Sequence, residues 1–235
     1  MIRLRASEAR GYADHGWLRA KHSFSFADYY DPDEMGWGVL RVINEDRVAP
    51  GMGFGRHGHR DMEIVTYILS GALEHKDSLG NGGVIRRGEV QRMSAGKGIL
   101  HSEFNPSPDE ETHLLQIWIE PALHGTSASY EQQALPVEDM RGRWRLVASP
   151  DGTDGSTTIG QDARLWASVL LPGQPTAYAL IPGRLAYVQV VSGRLDLNGL
   201  SLSAGDGARI ADETDLRFLA VEEAEILLFD LPPNK

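Results

Sequence analysis

Apolar and polar residues alternate along most of this chain with the two-residue period of half-buried strands. The clearest runs in the first half are Val39 to Ile43, Met62 to Leu69, Leu73 to His75, Val90 to Met93, Ile99 to Phe104 and Leu114 to Ile119. Ser23-Phe24-Ser25-Phe26 alternates in the same way and is broken by Asp31-Pro32-Asp33. Glycine-rich turns separate the runs, as in Asp77-Ser78-Leu79-Gly80-Asn81-Gly82-Gly83. The pattern weakens after Pro121, with one further candidate strand at Trp144 to Ala148, and resumes near Ala163. Leu165 to Leu170, Thr176 to Leu180, Ala186 to Val191, Arg194 to Leu197, Gly207 to Ile210, Leu216 to Val221 and Ala224 to Asp230 all read as strands. No long amphipathic helix interrupts them. Short strands at such spacing predict an all-β sandwich or barrel with few short helices.

The two halves echo one another. Leu69-Ser70-Gly71-Ala72-Leu73 returns as Val191-Ser192-Gly193-Arg194-Leu195, and Arg87-Gly88-Glu89 returns as Ala204-Gly205-Asp206. Together these suggest an internal duplication of one β unit.

Composition narrows the chemistry. With 23 Lys plus Arg against 33 Asp plus Glu, the net charge of −10 disfavours direct nucleic-acid binding. There is no cysteine, so disulfides, thiolate ligands and a cysteine nucleophile are excluded. Any metal site must use imidazole and carboxylate. The N-terminus lacks an apolar signal core, and no stretch has the roughly 20 apolar residues of a membrane span, so a cytoplasmic protein away from membranes is expected.

Two pairs stand out. His57 and His59 are separated by one residue, and so are His101 and Glu103. In a strand, residues i and i+2 point to the same face. Two such strands, facing each other across a barrel interior, would converge four ligands on one point. A lone His-x-His is weak evidence. The second pair, framed by Gly96-Lys97-Gly98-Ile99-Leu100, strengthens it.

The wording around these pairs resembles a known family. Gly53-Phe54-Gly55-Arg56-His57-Gly58-His59-Arg60-Asp61-Met62-Glu63 followed by Gly71 resembles the first cupin motif, and the run Met93 to Asn105 resembles the second. "HSFSFADYYDP", "HGHRDMEIVTYILSG", "SAGKGILHSEFNPS", "LLQIWI" and "EILLFDLPP" together resemble the pirin family over nearly the whole chain. The resemblance implies two tandem cupin-type barrels: residues 1–125 as a metal-binding barrel, 126–150 as a linker region, and 151–235 as a barrel without metal ligands. The last histidine in the chain is His124, so the second barrel cannot repeat the site.

The resemblance further implies that His57, His59, His101 and Glu103 hold one divalent metal ion. Iron(II) is the expected ion, with Mn, Ni, Co, Cu or Zn as alternatives. Glu63, a ligand position in many other cupins, is expected to be a pocket residue. Bacterial pirins resemble quercetin 2,3-dioxygenases, which open a flavonol ring with O₂ and release carbon monoxide. In that scheme Glu103 also accepts the substrate's proton, and Phe54, Met93, Ile99 and Leu115 form an apolar surface for the aromatic ligand. A non-catalytic metal-binding regulator acting through protein partners is the alternative, and a sugar isomerase is a third. His22, His75 and His113 are expected to be structural or on the surface, His15 and His124 to lie in loops without specific roles, and the N-terminal aromatics to build core. The chain is expected to stand as a monomer.

Overall fold

A computed structural model describes residues 1–233. Among these, the chain forms twenty-two strands and three single turns of 3₁₀ helix, at Ser7–Ala9, Val137–Asp139 and Thr153–Gly155. The all-β expectation with few short helices is met. No helix among the described residues is long and apolar enough to cross a membrane.

Two compact units divide the chain. One comprises Gly11–Leu135 with Thr157–Gln161; the other comprises Met1–Arg10, Pro136–Ser156 and the chain from Asp162 onward. This partition differs from a simple cut at 125 and 151. Residues 1–10 belong to the C-terminal unit because Ile2–Arg5 adds as an antiparallel strand to Gly207–Ile210. The region read as a linker contains two strands. Ser129–Ala134 pairs with Glu89–Ser94 in the N-terminal unit, and Arg145–Ser149 pairs with Arg164–Leu170 in the C-terminal one.

In the N-terminal unit the large sheet runs, in spatial order, Ser129–Ala134, Glu89–Ser94, Glu63–Ser70, Thr112–Ile119, Leu40–Val48, Leu18–His22 and Gly11–Asp14. A second sheet of four strands runs Gly53–His59, Ile99–Phe104, Ala72–Asp77 and Gly82–Arg86. Inward side chains of the two sheets interlock, as in the buried cluster Ile68, Leu73, Ile85 and Leu114. Ser23–Phe26 departs from expectation. Ser23, Phe24 and Ser25 are buried in an irregular segment rather than a strand, tied by Ser23 N–H to Ile43 O at 3.0 Å, by Ser25 N–H to Glu34 O at 2.6 Å and by an isolated bridge from Phe26 to Tyr29.

The C-terminal unit repeats the plan. Its four-stranded sheet runs Pro175–Ala179, Asp215–Ala220, Arg194–Leu197 and Leu200–Ser203. The duplicated turns are structural equivalents. Gly71 and Gly193 adopt φ of 76° and 77°, a left-handed conformation open to glycine. A Cβ at Gly71 would come within 2.9 Å of Glu111 O, and one at Gly193 within 2.2 Å of Glu223 O.

Aligning these turns shows what became of the second site. Leu195 then corresponds to Leu73, and Leu197 to His75. Glu103 lies opposite His75, and Phe218 lies opposite Leu197. His101 is partnered by His57, as Leu216 is by Tyr178. Leu197, Leu216 and Phe218 are buried in one apolar cluster, with Tyr178 packed against it. The positions equivalent to His75, His101 and Glu103 are filled by apolar side chains in the second barrel, and that of His57 by Tyr178. Phe218→Ala should therefore destabilise the C-terminal unit by about 3–5 kcal/mol, read by urea unfolding, without weakening metal binding by the N-terminal unit.

Candidate metal centre

The strands Gly53–His59 and Ile99–Phe104 do not face each other across the barrel. They are hydrogen-bonded antiparallel neighbours, with His57 opposite His101 and His59 opposite Ile99. Gly53 permits the approach, since a Cβ there would stand 2.2 Å from Glu103 O. The pairing slips by one residue between His101 and Glu103, as at a β-bulge, which re-aims side chains locally.

Three imidazoles meet. His57 and His101 turn their Nε2 atoms to within 3.0 Å of each other. The ring of His59 lies 4.8 Å, centre to centre, from each of them. One ligand nitrogen from each ring falls within 4.8 Å of the other two. Glu103 does not complete that group within the same limit. It forms a second, overlapping group with His101 and His75, all three buried. The four expected residues are thus divided over two clusters that share His101.

Burial favours the neutral form of two of the imidazoles, His59 and His101. It is the chief reason that His59 is pushed down to about 4, with the charge of His57 adding to it. His101 is pushed down to about 3 by burial, then by His57, His59 and His75. Neutral imidazole is the ligating form. At 3.0 Å the two Nε2 atoms of His57 and His101 either share one proton or, with the ring protons on Nδ1, turn both lone pairs to a common point where a cation could sit.

Glu103 is almost fully buried. Its Oε2 accepts a hydrogen bond from Gln116 Nε2 at 3.1 Å, and its Oε1 has no hydrogen-bond partner. Burial raises its pKa to about 7, opposed in part by Gln116 and Gln91. A buried carboxylate oxygen without a donor is unfavourable unless something else satisfies it. The donor set, nitrogen plus carboxylate oxygen, suits a divalent metal.

Other expected residues take different places. Glu63 is not part of the centre. It accepts from Ser94 Oγ at 2.6 Å and from the backbone of Gly160. Met93 packs in a core cluster with Ile64 and Ile99, and Leu115 is buried in the core. His113 bonds Glu45 at 2.9 Å.

Phe54 does line a cavity, and so do residues expected to be simple core. A space of about 570 Å³ is bounded by Trp17, His22, Phe26, Tyr29, Asn44, Asp46 and Phe54 among others. The irregular Ser23–Phe26 segment divides its aromatics: Phe24 is buried in the core as expected, while Phe26 faces the opening. None of His57, His59, His101 and Glu103 lines the cavity, but two of its lining aromatics lead towards them. The ring of Phe54 is 6.4 Å from that of His57, and Trp118 stands edge-on both to Phe26 at 5.3 Å and to His59 at 5.0 Å. Asp46 projects into the cavity lining while almost fully buried, and its Oδ1 has no partner. Its pKa is raised to about 7, first by burial and then by Glu103 and Glu45.

A small β-barrel carrying clustered imidazoles and a buried carboxylate, duplicated in a second barrel that has replaced them with apolar residues, defines the chain as a bicupin. Residues 3–119 match the Pirin family model, and residues 146–231 match the quercetinase C-terminal cupin domain. The chain belongs to the pirin family. It is 48% identical over 233 residues to a quercetin 2,3-dioxygenase of Escherichia coli K12, covering 99% of this chain and 100% of that one. It is 46% identical to a pirin-like protein of Caulobacter vibrioides, over 98% and 99% of the two chains. It superimposes with a TM-score of 0.95 on the bacterial pirin YhhW from Escherichia coli in complex with nickel(II), at 47% identity over 99% of this chain and 100% of that one.

The raised carboxyls generate a pH prediction. Asp46 and Glu103 stay protonated in the folded chain up to about pH 7, whereas in the unfolded chain they ionise near pH 4. Between those values these two carboxyls hold more protons in the folded state and lower stability as pH rises, while His59 and His101, pushed down by burial, raise it over much of the same range. Asp46→Asn removes one carboxyl and leaves the histidines in place, so the stability of the chelator-stripped variant relative to the parent should rise as pH goes from about 4 to about 7, as measured by thermal unfolding of both across the pH range.

Proposed function

We propose that this pirin-family chain is a metal-dependent dioxygenase that cleaves flavonols with O₂, as its Escherichia coli relative is named to do. One observation carries the reading: a cavity walled by Trp17, Phe26, Tyr29 and Phe54 lies one aromatic side chain, Phe54, away from three imidazoles whose ligand nitrogens converge within 4.8 Å. A space of about 570 Å³ lies in the range of small-molecule sites and admits a flat polyphenol.

His57, His59 and His101 supply nitrogen ligands, and Glu103 supplies its unpartnered Oε1 as the fourth. Iron(II) is the proposed native ion, and nickel(II) in the relative's crystal is compatible with the same donor set. When bound, such an ion supplies Lewis acidity towards the flavonol's adjacent hydroxyl and ketone oxygens.

The chain's own residues then bind, shield and move a proton. Phe54 and the N-terminal aromatics sandwich the rings and exclude water from the reacting face. Glu103 is the carboxylate placed to take the proton of the flavonol hydroxyl. Gln116 holds the other carboxylate oxygen at 3.1 Å and limits its rotation. The overall change consumes one flavonol and one O₂ and gives a ring-opened ester and carbon monoxide.

The test is aerobic incubation of the iron-loaded protein with quercetin, following flavonol absorbance, oxygen uptake and carbon monoxide together. Turnover well above that of free iron is expected. His101→Ala should lose metal and turnover in parallel. Glu103→Gln should lower turnover by about 10²-fold or more. A protein that holds its metal yet leaves quercetin untouched would contradict the enzymatic reading and favour a regulator acting through protein partners.

A further inference from the structure

A fourth histidine stands against the centre and has no part in the proposed ligand set. His75, on the strand Ala72–Asp77, is fully buried. Its Nδ1 lies 3.4 Å from Nδ1 of His101, and its Nε2 lies 3.4 Å from Oδ2 of Asp77. Sheet register explains the meeting: this strand pairs with Ile99–Phe104, setting His75 opposite Glu103 and Asp77 opposite His101.

Proton placement follows from taking His57 and His101 as ligands through Nε2. The Nε2 atoms of His57 and His101 face each other, so both must be free of hydrogen to ligate, and each ring carries its proton on Nδ1. His57 donates that proton to the carbonyl of Gly55, 2.8 Å away. For His101 the acceptor within reach is Nδ1 of His75. His75 can accept there only with its own proton on Nε2, which is the side on which the Asp77 carboxylate lies. Asp77 is itself fixed by the backbone N–H groups of Leu79 and Asn81 at 2.8 and 3.0 Å, and by Asn81 Nδ2 at 2.9 Å. Tyr130 stacks on the His75 ring at 4.8 Å and 21°, which sets its plane.

We infer that His75 is a positioning residue for the metal centre, relaying a hydrogen-bond chain from Asp77 through its own ring to His101 and holding His101 Nε2 towards the ion. Outer partners of this kind fix the tautomer and orientation of a ligating histidine and raise its basicity. The inference rests on the reading of His57, His59, His101 and Glu103 as a metal centre, and is independent of flavonol cleavage.

The overlapping group His75, His101 and Glu103 also admits the opposite assignment, with His75 as ligand to an inner ion. The local donors oppose it. Gln91 Nε2 lies 3.5 Å from His75 Nδ1, and the same side chain hydrogen-bonds Glu103 in the sense that lowers its pKa, as a donated N–H does. The amide therefore directs N–H groups at the atom an inner ion would need.

The second barrel supplies the variant for the test, because it places Leu197 at the position equivalent to His75. Nickel(II) affinity is measured by competition with a chromophoric chelator, with the visible spectrum of the cobalt(II)-loaded protein as a second readout. Circular dichroism and thermal unfolding of the metal-free proteins report folding. His75→Leu should fold and bind nickel about 10–100-fold more weakly, with an altered cobalt spectrum. His75→Asn, whose Oδ1 can stand in for Nδ1 as acceptor, should restore affinity close to that of the parent. If the leucine variant fails to fold, His75→Ala serves the same comparison. Equal affinity in the leucine variant and the parent would overturn the inference alone, as would an asparagine variant as weak as the leucine one. Two ions per chain, one of them lost with His75, would overturn it in favour of a ligand role. A parent chain that binds no nickel or cobalt would overturn both this inference and the metal centre beneath it.

Discussion

Everything distinctive about the N-terminal barrel depends on the antiparallel pairing of Gly53–His59 with Ile99–Phe104. That pairing sets His101 opposite His57 and brings two i, i+2 side-chain pairs onto one face of one sheet. A one-residue slip would turn each set outward to solvent. The absence of a side chain at Gly53, where the neighbouring strand comes closest, helps to hold the pairing where it is.

Burial converts this geometry into chemistry. The same desolvation that keeps His59 and His101 neutral leaves Glu103 and Asp46 protonatable near neutrality. Lone pairs are presented inward, and two carboxyl groups each retain an oxygen without a donor. Such an arrangement is poorly suited to a purely structural core. The C-terminal barrel shows the structural solution on the same scaffold, where Leu197, Leu216 and Phe218 close the equivalent space with hydrocarbon. One unit retains polar groups that oppose its own stability, and the other has exchanged them for packing.

Much of this was readable in the residues, and the reasons for the rest are physical. Strand periodicity and the repeated Ser-Gly turn are local, so the all-β class and the duplication could be read directly. The alternation that directs His57, His59, His101 and Glu103 to one side is local too. That their strands are hydrogen-bonded neighbours is a matter of long-range register and could not be read. Ser129–Ala134 was passed over because it is a polar edge strand, half exposed, without an apolar stripe. The placement of Ile2–Arg5 against Gly207–Ile210 joins residues some 200 apart, beyond any local pattern. His75 was set aside as a lone histidine, although His75-x-Asp77 has the same spacing as the other two pairs. The aromatics of residues 17–29 were read as core because composition does not reveal whether a segment fills a space or roofs it.

The central claim is that His57, His59, His101 and Glu103 hold one ion in common. Anomalous diffraction from crystals of the iron- or nickel-loaded protein, collected on either side of the metal absorption edge, tests it most directly. The account predicts a single strong anomalous peak bounded by the Nε2 atoms of the three histidines, with Oε1 of Glu103 turned to meet it. A loaded crystal with no peak among those residues, or a peak that Glu103 does not approach, would contradict it.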